Sequence, residues 1–74
     1  MPRLPRDLPQ RRVVRTLVRL GGQELRSRGK GGYWAVLMPN GYTAIIPAGR
    51  VKTGLLADLL KESELSVEQF IESL

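Results

Sequence analysis

Three arginines at helical spacing, Arg12, Arg15 and Arg19, are the side chains of this 74-residue chain best arranged to act on a partner. They fall at i, i+3 and i+7, which places them on one face of a helix. Their guanidinium groups are fixed forks of N–H donors that match phosphate. A stripe that only faced solvent is expected to carry interspersed glutamates, and this one carries none. A glycine-rich segment and a second basic segment beside a helix start add cations. Gly29-Lys30-Gly31-Gly32, preceded by Arg28, offers backbone amides and an ammonium to a phosphate, although the nucleotide-binding pattern G-x-x-x-x-G-K-[ST] is absent. Gly49-Arg50-Val51-Lys52-Thr53 leads into a helix start, where amide hydrogens favour an anion and Lys52 stands beside them. Directly after the first glycine run come Tyr33 and Trp34, and aromatic side chains on a sheet stack unpaired bases. Tyr33 reads as the exposed one of the pair and Trp34 as core.

Histidine and cysteine are both absent. That excludes imidazole acid–base chemistry, thiolate nucleophiles, disulfides and the common zinc sites, so neither a metal nor a cofactor is expected. Charge is unevenly spread. Residues 1–30 hold nine basic side chains against Asp7 and Glu24, a balance of +7, while residues 31–74 hold Arg50, Lys52 and Lys61 against five acids, a balance of −2. Such asymmetry suits a polyanionic partner, nucleic acid before an acidic protein or a membrane surface. No targeting segment and no run near the ~20 apolar residues of a membrane span is visible, so a cytoplasmic location is expected.

Positioning these groups falls to a single small domain, because a chain this short buries only ~60% of its unfolded surface around one core. Residues 1–8, with Pro2, Pro5 and alternating arginines, read as a flexible basic arm, and residues 9–74 as the domain. Asp7 is the expected N-cap of a helix from about Pro9 to Leu20, with Val13, Val14, Leu17 and Leu20 inward and Gly21-Gly22 as its stop. Gln23 to Arg28 reads as a short edge strand. Tyr33–Met38 and Tyr42–Pro47 form a hairpin through Pro39-Asn40-Gly41, with a type I′ turn predicted from Asn-Gly. Alternation sets Tyr33, Ala35 and Leu37 against Trp34, Val36 and Met38, and both faces are partly apolar. Pro47 to Lys52 is a loop, Thr53 caps a helix on Leu55, Leu56, Leu59 and Leu60, and Ser66 with Gln69 makes a capping box for a last helix. The predicted class is α+β, a three-stranded antiparallel sheet with helices on one face.

The stretch from Lys30 to Leu74 resembles the HicA family of bacterial toxins. The proline–glycine hairpin, the Ile-Pro strand end, the Lys52-x-Gly54-x-Leu56 helix start and the Leu65-Ser66-x-x-x-Phe70 close carry the likeness, which covers roughly residues 9–74. The resemblance implies an α-β-β-β-α domain like that of double-stranded-RNA-binding proteins, cleavage of mRNA, and a HicB-like antitoxin as partner. It also implies a catalytic histidine after two small residues at the head of the second strand. Gly31 and Gly32 match the small residues, and Tyr33 stands where the histidine belongs. An ordinary phenol, with a pKa near 10, keeps its proton at neutral pH and donates where a base must accept. The expectation is an RNA-binding protein of the HicA-like toxin type with cleavage weak or lost, Arg12, Arg15, Arg19, Arg28, Lys30, Gly31, Gly32 and Lys52 holding RNA and Tyr33 at the reaction centre. Two alternatives stand beside it: a non-catalytic protein that binds a HicB-like antitoxin, and a general nucleic-acid-binding module.

Overall fold

The computed structural model describes residues 3–25 and 32–74. In chain order the elements are β1 (Leu8–Pro9), α1 (Gln10–Arg19), β2 (Gln23–Leu25), β3 (Trp34–Leu37), β4 (Thr43–Ile46), β5 (Arg50–Val51), α2 (Thr53–Glu62) and α3 (Val67–Glu72). Apart from the two-residue β1 and β5, this is the α-β-β-β-α order followed by one short helix. The central sheet is antiparallel in the order β2-β3-β4, with Glu24 opposite Val36 and Val36 opposite Ala44.

Period-two alternation sorts the sheet into two faces. Val36, Met38, Ala44 and Ile46 point inward and are buried with Val13 and Leu17 of α1, Leu56, Leu59 and Leu60 of α2, and Phe70 of α3. The helices therefore cover one face of the sheet. Leu55, assigned to the apolar stripe of α2 on spacing, is exposed; Leu56, Leu59 and Leu60 suffice to seal that side.

Glycines end α1 as expected. Gly21, at φ 103°, donates to the Val18 carbonyl, and Gly22 donates to Leu17, the paired bonds that close a helix through a left-handed residue. The hairpin departs from the type I′ expectation. Gly41 N–H donates to the Met38 carbonyl at 2.9 Å and Met38 N–H donates to Tyr42 at 2.8 Å, so the loop is three residues long with Gly41 alone at positive φ. A two-residue loop over Asn40-Gly41 needs an N–H at position 39, and proline has none. Asn40 then bridges to the end of α2, donating to the Glu62 carbonyl and to Glu64 Oε2.

Both expected caps of the longer helices are corrected. Asp7 is not the N-cap of α1: it sits at φ 48°, and Pro9 holds that position with no side-chain cap. The reason is β1, where Leu8 pairs with Val51 and Pro9 with Arg50, carrying the chain past Asp7 before the helix starts. The same pairing places a strand inside the expected loop from Pro47 to Lys52. Lys52 replaces Thr53 as N-cap of α2, because the Thr53 hydroxyl donates instead to the Pro5 carbonyl at 3.2 Å. The described part of the N-terminal arm is held by that bond, by Leu4 against the core and by Arg50 Nη1 donating to the Asp7 carbonyl at 2.7 Å. The Ser66–Gln69 capping box forms in both directions.

Candidate nucleic-acid interface

Helix α1 owes its form to one buried and one charged face. Val13, Val14, Thr16 and Leu17 are buried, and Thr16 satisfies its hydroxyl on the Arg12 carbonyl at 2.8 Å. At about 100° per residue, Arg11, Arg15, Arg19 and Arg12 fall within an arc of about 100° on the opposite side. All four are exposed. They form a ridge with a groove on each flank.

The larger groove, about 740 Å³, runs between α1 and the end of α3 and is lined by Pro9, Arg11, Arg12, Arg15, Thr16, Arg19 and Leu74. The smaller, about 330 Å³, runs between α1 and the β2–β3 edge and is lined by Arg11, Val14, Arg15, Val18, Arg19, Glu24 and Trp34. Arg11, Arg15 and Arg19 border both. Arg19 is anchored, its Nη1 donating to the Ser73 carbonyl at 2.9 Å. Among the described residues, the side chains of Arg11, Arg12 and Arg15 make no hydrogen bond or ion pair.

Folding alone disfavours this placement. Arg11–Arg15 and Arg15–Arg19 are like-charged pairs one turn apart, each destabilising by about 0.2–0.5 kcal/mol. Arg11 and Arg12 also occupy the first turn, which contains no acid and where the helix dipole favours negative charge. An anionic partner offsets both penalties at once.

The structure brings together Arg12, Arg15 and Arg19 of the expected site and adds Arg11, which its i, i+4 spacing from Arg15 could have identified. Tyr33 is half exposed, at 50%, but lines neither groove. It precedes β3 in alternation with Ala35, on the sheet face turned away from α1. Lys52 is exposed at the start of α2 and borders neither groove. Gly32, at φ 75°, leads into Tyr33; Arg28, Lys30 and Gly31 lie outside the described residues. Trp34, read as core, packs against the core with its inner part and edges the smaller groove with the rest.

Sequence reasoning passed over Gln10. Its Nε2 donates to the Gly32 carbonyl at 2.6 Å and to the Ile46 carbonyl at 3.0 Å, and its N–H donates to Gly49 at 2.9 Å. One side chain at the head of α1 thus holds the entry to β3 and the exit of β4 in register. Among the described residues, no helix is long and apolar enough to cross a membrane. Compared with models of known protein families and with curated proteins, the chain matches none.

Proposed function

We propose that this protein binds RNA along the α1 ridge, as a HicA-like toxin-type protein whose cleavage of mRNA is weak or lost. The single observation that carries the binding half is the ridge itself: four exposed arginines flanking two grooves, three of them without a side-chain partner among the described residues and two of them in the first turn, where the helix dipole disfavours positive charge. Guanidinium groups at that density hold successive phosphates, which supply most of the affinity in sequence-independent binding. The toxin-type half rests on the resemblance of residues 9–74 to the HicA family together with the α-β-β-β-α order.

Loss of cleavage follows from position 33. RNA cleavage by its own 2′-hydroxyl needs a group that accepts a proton near neutral pH, and general acid–base help is worth about 10²–10⁴-fold in rate. Position 33 carries a phenol in place of the imidazole that the resemblance implies there. The test is cleavage of a mixed-sequence RNA by the wild type, Tyr33→His and Tyr33→Phe. Slow wild-type cleavage that rises at least tenfold in Tyr33→His supports the reading, and fast wild-type cleavage that vanishes in Tyr33→Phe overturns it.

A separate observation favours a second reading, binding of a HicB-like antitoxin. The sheet face away from the helices exposes Tyr33 at 50% and Ile45 at 48%, beside half-buried Leu25, Ala35 and Leu37. A contiguous apolar face of this kind suits a protein more than a polyanion. Formation of a stable complex on mixing with an acidic HicB-like protein, lost in Ile45→Glu, supports that role.

A further inference from the structure

The smaller groove differs from the larger in its floor and in one charge. Val14, Val18 and Trp34 make its base apolar, and Val18 is 39% exposed there. Opposite the arginine ridge stands Glu24, the one acidic side chain among the described residues that line the two grooves. Glu24 lies across from Val36 on β3, so Trp34, two residues along on the same face, is its diagonal neighbour. Diagonal neighbours on adjacent strands sit about 7–8 Å apart, close enough for one planar ligand to touch both. Despite three arginines across the groove, the Glu24 side chain makes no hydrogen bond or ion pair with a described residue.

A lone carboxylate beside a phosphate-binding ridge repels the backbone it borders. It helps only if the ligand turns N–H donors toward it, since an ionised carboxylate accepts and never donates. Among unmodified bases, guanine alone places two donors, N1–H and one N2–H, side by side on its Watson–Crick edge. Adenine and cytosine place a single amino donor beside an acceptor there, and uracil has one N–H between two carbonyls. That edge is reached only in an unpaired base, whose face is then available to an indole.

We propose that the groove floored by Val14, Val18 and Trp34 takes one unpaired guanine base, its edge on Glu24, its face on Trp34 and its flanking phosphates on Arg15 and Arg19. The inference rests on the RNA-binding reading of the ridge and adds a base preference to it.

Trp34 is the protein's one tryptophan, so intrinsic fluorescence reports on this groove directly. The test titrates nine-nucleotide RNAs, all uridine or with a central guanosine, adenosine or inosine, following Trp34 emission and, separately, anisotropy of a 5′ label. The guanosine strand should quench Trp34 and bind about 5- to 150-fold tighter than the adenosine strand, the range for one bidentate base contact. Inosine, which lacks the 2-amino group, should lose most of that margin. Exposed Glu24 can be changed without touching the core: Glu24→Gln should abolish the preference, so that the guanosine and adenosine strands bind alike. Annealing a complementary strand should remove the quenching. Salt-dependent binding with equal affinity for all four strands and unchanged Trp34 emission overturns this inference and leaves the ridge reading intact. No binding of any strand at low salt overturns both, and quenching by an acidic peptide but by no RNA reassigns the groove to a protein partner.

Discussion

Arg15 stands at the centre of the ridge, bordering both grooves with Arg11 and Arg19 one turn to either side, and replacing it with glutamine separates a binding role from a folding role. Four arginines in contact with a single strand, at about −0.7 per neutralised phosphate, give a slope of log affinity against log salt near −3. Removing one brings the slope to about −2. Between 50 and 200 mM salt, the wild type should then lose roughly 50-fold in affinity and Arg15→Gln roughly 20-fold. Stability should move the other way. The substitution relieves two like-charged contacts along α1, each worth about 0.2–0.5 kcal/mol, and glutamine is nearly as good a helix former as arginine. A melting temperature equal to or a few degrees above that of the wild type is expected. The assay is anisotropy of a labelled uridine-rich single strand at four salt concentrations, with thermal unfolding of the same preparations. A flat salt response in the wild type, an unchanged slope in Arg15→Gln, or a variant that loses stability along with affinity would refute the reasoning.

Tyr33→His should accelerate RNA cleavage while Tyr33→Phe leaves it low, read from the rate of product formation. Glu24→Gln should erase discrimination between guanosine- and adenosine-containing strands, read from the ratio of their affinities. Ser63→Ala should stabilise the fold: the hydroxyl is buried at the end of α2 with no hydrogen-bond partner among the described residues, and relieving it is worth about 1 kcal/mol, or about 4–8 °C for a domain of this size. Gly22→Ala should cost about 1–3 kcal/mol, measured by urea unfolding, because the added methyl group meets Val36 Cγ1 at 2.6 Å and the Leu17 carbonyl at 2.8 Å; a loss below 0.5 kcal/mol would refute it.

Individual elements divide clearly between what local sequence encodes and what it does not. The face of α1 with Val13, Val14 and Leu17 was legible because helical periodicity is a property of consecutive residues, and the Ser66–Gln69 box because both bonds close within four residues. The hairpin position was legible from Asn40-Gly41, but its loop length turned on the missing N–H of Pro39, one residue outside the dipeptide that was read. The Asp7 and Thr53 caps failed for a different reason. Each side chain has the right chemistry for a cap, yet β1 pairing with β5 brings together residues more than 40 positions apart and decides where the helices begin.

The candidate site divides along the same line. By itself, the sequence determined the absence of imidazole and thiol chemistry, the excess of positive charge in residues 1–30, and an arginine face on the first helix, since composition and short-range spacing are carried by the chain whatever its fold. Only the tertiary structure decided which groups share a surface. It set Trp34 and Glu24 across a groove from Arg15 and Arg19, turned Tyr33 to the far side of the sheet, and gave Gln10 the task of holding β3 to β4. Those outcomes follow from strand register and from which sheet face the helices cover, and a one-residue slip in either would exchange the two faces.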